Sequence, residues 1–132
     1  MMGSVMKINQ KQIEAVSALS GIDRYKHFVK VVADWQKAWG LYDNGWALAA
    51  TDEGTPVFLF WPAEEYATLC AKEEWGSYKP RAIELEDLMN TLLPKLRKDG
   101  VLPGIFFTPS GRGVTPSVDE LLGALKDELQ NY

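Results

Sequence analysis

The run Val57-Phe58-Leu59-Phe60-Trp61 is apolar on both of its alternating sets of positions, and no other stretch constrains the fold as much. A half-exposed strand alternates apolar and polar residues, whereas one that is apolar on both sides must be covered on both faces. This segment therefore reads as a central strand between two layers. It follows the turn residues Asp52-Glu53-Gly54. Further upstream, Asn44-Gly45 separates Leu41-Tyr42 from Trp46-Ala47-Leu48-Ala49, a strong short-range hairpin signal expected as a type I′ turn with positive φ at both residues. Three antiparallel strands in a meander are the simplest outcome.

Two helices precede the strands. Asn9 caps the first, with apolar Ile13, Val16 and Leu19 at three-residue spacing and Gly21 as its stop. Asp23 caps the second, in which Tyr25, Phe28, Val32, Trp35 and Trp39 fall on one stripe and Gly40 ends the helix. That pattern places Trp35 and Trp39 in the core. Its outer face carries Lys26, Lys30 and Lys37, an ordinary solvated surface.

After the central strand, Pro62 suits the first turn of a helix running to about Glu74, and Lys79-Pro80-Arg81-Ala82-Ile83-Glu84 reads as an edge strand because Pro80 has no N–H to donate. Leu85, Leu88, Met89, Leu92, Leu93 and Leu96 make a helical stripe that Pro94 kinks or splits and Gly100 stops. Residues 104–107 form a last strand, and Val118, Leu121, Leu122, Leu125 and Leu129 line the last helix. The order is ααβββαβαβα. It predicts an α+β fold with an antiparallel-dominated sheet of about five strands and helices packed on it, a single domain over residues 7–132. Residues 1–6, with a doubled Met and Gly3-Ser4, look like a tail or cloning scar.

Composition narrows the function classes. The 132 residues are 46% hydrophobic and 24% charged, which excludes low-complexity and disordered classes. A net charge of -4 argues against a nucleic-acid partner, and no stretch reaches the roughly 18 apolar residues of a membrane span. Cys70 and His27 are the single thiol and the single imidazole, so there is no ligand cluster for a metal and no disulfide. A reducing, cytoplasmic address follows, and no cofactor is implied.

The same two residues are the only material for a nucleophile and base, but Cys70 falls on an apolar helix face beside Leu69 and His27 has no evident partner. The acidic pairs Glu64-Glu65, Glu86-Asp87 and Asp119-Glu120 sit in first helical turns, where the macrodipole accounts for them. The loop Ser110-Gly111-Arg112-Gly113 could cradle an anion or simply connect a strand to a helix. Of the five tryptophans, Trp46, Trp61 and Trp75 lie at element ends, where an indole is half exposed, and Lys79 and Arg81 supply charge nearby.

Four segments carry a family resemblance: Arg24-Tyr25 through Phe28-Val29-Lys30 to Val32-Ala33-Asp34, Trp39-Gly40-Leu41-Tyr42-Asp43-Asn44-Gly45-Trp46, Trp61-Pro62, and Tyr78-Lys79-Pro80-Arg81-Ala82-Ile83. Together they resemble the bacterial domain of unknown function 2750. The resemblance implies a cytoplasmic bacterial protein and assigns no activity, cofactor or catalytic residue. The strand, helix and Leu-Leu-Pro layout is also similar to the N-terminal domain of enhanced serine sensitivity protein B, which supports only the α+β expectation.

The reading that results is a non-catalytic protein-binding or regulatory module. Its binding residues are Trp46, Trp61, Lys79 and Arg81, and its partner is a protein or a second copy of the chain. The alternatives are an enzyme or small-molecule binder with a pocket lined by those four residues, or a toxin immunity protein. Whether Arg81 belongs to a site or pairs internally with Glu84 or Asp43 stays open on sequence alone.

Overall fold

Asn9 accepts the Gln12 N–H and starts helix α1 (Gln10–Ser17), as expected. The structure, a computed structural model, describes residues 8–132, so the tail expected at 1–6 lies outside the described residues. Helix α2 (Gly21–Trp35) is capped by Ser20, whose hydroxyl accepts the Asp23 N–H, so Gly21 opens this helix and Asp23 occupies its first turn. The helix ends five residues before Gly40. Gln36 adopts a left-handed conformation at φ 63, and its side-chain amide donates to the Ala33 carbonyl at 2.8 Å. Trp39 and Gly40 consequently belong to strand β1 (Lys37–Tyr42), and Trp35 is half-buried while Phe28 and Val32 are fully buried.

Strands β2 (Leu48–Ala50) and β3 (Pro56–Phe60) then form an antiparallel pair, followed by helix α3 (Glu64–Cys70) and a separate 3-10 turn at Glu73–Trp75. The single helix expected from Pro62 to Glu74 is thus divided, and Pro62 precedes the N-cap, Ala63. Strand β4 (Lys79–Glu84) leads into α4 (Leu85–Asp87), a π-helical stretch (Leu88–Leu92) and α5 (Leu93–Asp99). The three run without a break from Leu85 to Asp99, so Pro94 sits inside a continuous helical path, and the wide π turns immediately before it accommodate a residue that has no N–H to donate. Strand β5 (Leu102–Ile105) and helix α6 (Val118–Leu129) complete the chain. No helix among the described residues is long and apolar enough to cross a membrane.

The fold is α+β with five strands in the expected order, and the strands form two ladders. β3 is central to one, antiparallel to β2 with Leu48 opposite Phe58 and parallel to β5 with Val57 opposite Leu102. β1 pairs with β4 in the other, Gly40 opposite Arg81, so the first three strands do not make a full meander. The ladders meet where Trp39 and Trp61 exchange backbone hydrogen bonds of 2.9 and 2.8 Å. Between β1 and β2, an isolated bridge of Tyr42 with Trp46 closes a three-residue loop, with the Asp43 N–H donating to the Gly45 carbonyl. Asn44 has φ 55 and Gly45 is close to extended at φ 158, so the turn is not type I′.

Both faces of β3 are covered, as its composition demands: Val57, Phe58, Leu59 and Phe60 are each at most 3% exposed. Phe28 of α2 packs against Phe60, with ring centroids 6.5 Å apart. On the opposite set, β5 approaches so closely that a Cβ on Gly104 would lie 2.4 Å from Val57 Cγ1. Helix α6 packs on α2 and α5, and α3 packs on β1 and β4.

One buried charge ties distant segments together. Arg24 is 7% exposed, and its guanidinium donates to the carbonyls of Phe106 (3.0 Å), Leu19 (2.6 Å) and Arg112 (3.2 Å). Phe106, fully buried, holds a left-handed φ of 61 there.

Phe28→Ala is expected to cost about 3–5 kcal/mol in urea denaturation, because its ring has no solvent-exposed side. Trp35→Ala should cost distinctly less despite the larger ring, and equal losses would show that α2 is rotated from the orientation described.

Candidate functional site

Gly40 is where the hairpin face begins. A Cβ at this position would lie 2.8 Å from the Trp46 ring, so the indole rests directly on the β1 backbone. Tyr42 meets Trp46 edge to face at 5.1 Å, and the stack continues inward through Phe58 (5.2 Å) to Phe60 (4.6 Å). Arg81 faces Gly40 across the β1–β4 ladder, and with no side chain opposite it the guanidinium lies over Tyr42, 4.4 Å from its centroid and 5.9 Å from that of Trp46. Lys79 stands two residues away, opposite Tyr42, so both cations leave the same face of the edge strand. Ser77 donates to the Asp43 carboxylate at 2.6 Å and anchors the hairpin loop to the segment entering β4.

Of the four residues expected to bind, Trp46, Lys79 and Arg81 come together and Trp61 does not. Trp61 is fully buried, and its indole N–H donates to the Phe107 carbonyl at 2.8 Å. Its place at a strand end suggests exposure, but β1 and the segment after β5 close over it. Arg81 pairs with neither Glu84 nor Asp43 and holds its position through the two rings.

Cys70 shares the Phe107 carbonyl with Trp61, its thiol donating at 3.4 Å. Burial pushes this thiol from 9.0 up to about 11 against the opposing influence of Lys72, which keeps it protonated at neutral pH. Partial burial, and then the like charge of Lys30, lowers the His27 pKa, and its ring lies 6.2 Å from that of Phe106. The thiol and the imidazole form no hydrogen bond with each other. Glu120 completes a capping box with Ser117, whose hydrogen bonds lower its pKa, as its first-turn position suggests. Among the described residues no cluster of three metal-ligating groups occurs.

A second concavity escapes sequence reasoning. An open cleft of about 810 Å³ runs along β2, with Leu48 and Ala50 on one side and Trp75, Phe107 and Arg112 on the other. None of the four expected residues lines it. The Gly-rich loop borders the cleft, and Thr108 and Gly111 close their backbone N–H groups on each other's carbonyls, which takes the Gly111 donor out of any anion nest. Arg112 reaches across instead, its Nη1 donating to the Ala50 carbonyl at 3.0 Å. Gly113 is required beneath it, since a Cβ would fall 1.8 Å from the Ile105 carbonyl oxygen. Trp75 and Arg112 were the visible signals, but they are 37 positions apart and nothing in their spacing joins them.

Residues 25–125 match the family described as Protein of unknown function (DUF2750), and the chain belongs to that family. No curated protein and no solved structure matches it.

Gly40→Ala should displace the Trp46 ring and cost about 1–3 kcal/mol, with a shifted tryptophan emission spectrum as the companion readout. An unchanged spectrum would separate Trp46 from the β1 backbone. A further expectation concerns pH. Because folding raises the Cys70 pKa, the folded state favours the protonated thiol, and stability falls as pH rises from 9.0 towards about 11. Urea denaturation across that window should show wild type losing stability relative to Cys70→Ala, and parallel curves would contradict it.

Proposed function

We propose that this member of the family is a non-catalytic protein-binding module, bacterial and cytosolic, whose contact surface is the hairpin face of Trp46, Lys79 and Arg81. One observation carries this reading: an exposed guanidinium held 4.4 Å over the Tyr42 ring without an acidic partner among the described residues. Arg, Tyr and Trp are the residue types that dominate binding hot spots. Stacking also restricts the long Arg side chain before any partner arrives, which lowers the ordering cost of association. Trp61 contributes from beneath, by fixing the strand junction on which β1 rests. The buried, protonated Cys70 thiol is consistent with both the non-catalytic and the reducing-compartment parts of the proposal.

Fold maintenance by Arg81 is the competing account, and magnitudes separate the two. An exposed cation–π contact contributes only about 0.5–1 kcal/mol to stability, whereas a hot-spot arginine contributes about 2 kcal/mol or more to binding. Wild type, Arg81→Gln and Arg112→Gln serve as baits in native lysate, and the captured protein is then purified and its Kd measured against each. Arg81→Gln should weaken that Kd by about thirtyfold, the equivalent of about 2 kcal/mol, with a melting temperature lowered by only about 2–6 °C. An unchanged Kd, or melting and binding lost together, would make Arg81 a structural residue.

A further inference from the structure

The cleft beside β2 plays no part in the hairpin surface, and its geometry is specific. The Thr51 N–H donates to the Thr55 carbonyl, which fixes the alternation of the β2–β3 ladder. Ala49 therefore exchanges its bonds with Val57, while the Leu48 and Ala50 backbone groups point away from β3 along the open edge. The bond from Arg112 to the Ala50 carbonyl confirms that direction. The outward Leu48 carbonyl and Ala50 N–H are spaced to pair with one residue of an added strand.

Arg112 decides where such a strand stops. In a parallel addition, a residue placed beside Ala49 donates its N–H to the Leu48 carbonyl and accepts from the Ala50 N–H. The next donor along the strand would seek the Ala50 carbonyl, which the Arg112 guanidinium already holds. That competition favours a chain end at this point, facing a cation that pairs with no carboxylate among the described residues. A terminal carboxylate satisfies that cation, and a fork of N–H donors suits its two oxygens. The rest of the cleft agrees: Leu48 is 49% exposed, Trp75 and Pro109 add apolar surface, and Arg112 is the single cation among its lining residues.

We infer that the cleft binds the free C-terminus of an extended peptide, added as a strand parallel to β2 with an apolar side chain near Trp75 and its carboxylate on Arg112. This is a second binding surface, independent of the hairpin face.

The full chain is used to select from a display library of peptides randomised over seven C-terminal residues with a free carboxylate. Enriched peptides are made as free acids and as amides, and their Kd is measured by fluorescence polarisation. The free acid should bind at least about tenfold more tightly than the amide, the scale of one charge-assisted pair. Arg112→Gln should remove that preference with little change in melting temperature, and Arg81→Gln should leave it intact. No enrichment, equal binding of acid and amide, or insensitivity to Arg112→Gln each overturns the inference. Loss of binding in Arg81→Gln alone also overturns it and moves the peptide to the hairpin face. Should Arg112→Gln unfold the protein, Arg112→Lys takes its place: it keeps the charge without the planar fork and should reduce the preference for the acid, and an undiminished preference overturns the inference.

Discussion

A guanidinium buried without a carboxylate is costly unless its donors find oxygen, and Arg24 meets this requirement entirely with backbone. Its carbonyl partners come from the α1–α2 connection at Leu19, from the exit of β5 at Phe106 and from the loop at Arg112. These three carbonyls belong to irregular segments, which have no ladder or helix of their own to use them, and a fourth, at Ser17, lies at the C-terminal end of α1. One side chain thus supplies hydrogen bonds to three stretches of loop, and the left-handed Phe106 conformation is held between Arg24 and the β3 backbone, to which the Phe106 N–H donates at Phe60. The cleft wall inherits this dependence, since Arg112 presents its side chain to β2 while its carbonyl is held by Arg24.

A second line of contacts runs from the core to the surface. Phe28, Phe60, Phe58, Trp46 and Tyr42 follow one another as neighbouring rings, and Arg81 covers the outer end. Successive members come from α2, β3, the hairpin and β1, so the exposed guanidinium rests on a column rooted in the packing of the main helix. A surface built this way is stiff. The absence of a side chain at Gly40 allows the column to lean against β1, which explains why a glycine stands in mid-strand where it otherwise weakens pairing.

Much of this was legible in order and little of it in depth. Element order, the α+β class and the hairpin followed from Asn44-Gly45, from the doubly apolar residues 57–61 and from the helical stripes, because these are local patterns with a direct physical cause. Trp39 misled because its four-residue distance from Trp35 continues the helical period across a boundary. Gln36 ends that helix in a left-handed conformation usually left to glycine, so no composition signal marks the stop. Trp61 misled in the opposite sense, since a strand end predicts exposure only if nothing packs over it. Of the candidate site, the Trp46, Lys79 and Arg81 grouping was readable from alternation in an edge strand. The cleft was not, since it depends on the parallel β3–β5 pairing that carries Phe107 and Arg112 past β2. Arg24 was visible only as one member of the family-like string, with no sign that it is buried.

The parallel pairing also sets a timetable for the growing chain. β3 begins at Pro56, but its partner β5 begins at Leu102, and the Phe106 carbonyl that receives Arg24 lies 82 residues beyond it. At ordinary rates of synthesis, the apolar residues of β3 are made on the order of a few seconds before the strand that covers their second edge. Contacts so distant in sequence are also late to form, because the loop must close before they are gained. The most hydrophobic segment of the protein is therefore made well before the strand that covers it, and the nascent chain rather than the folded one is where it is most exposed to aggregation and to chaperones.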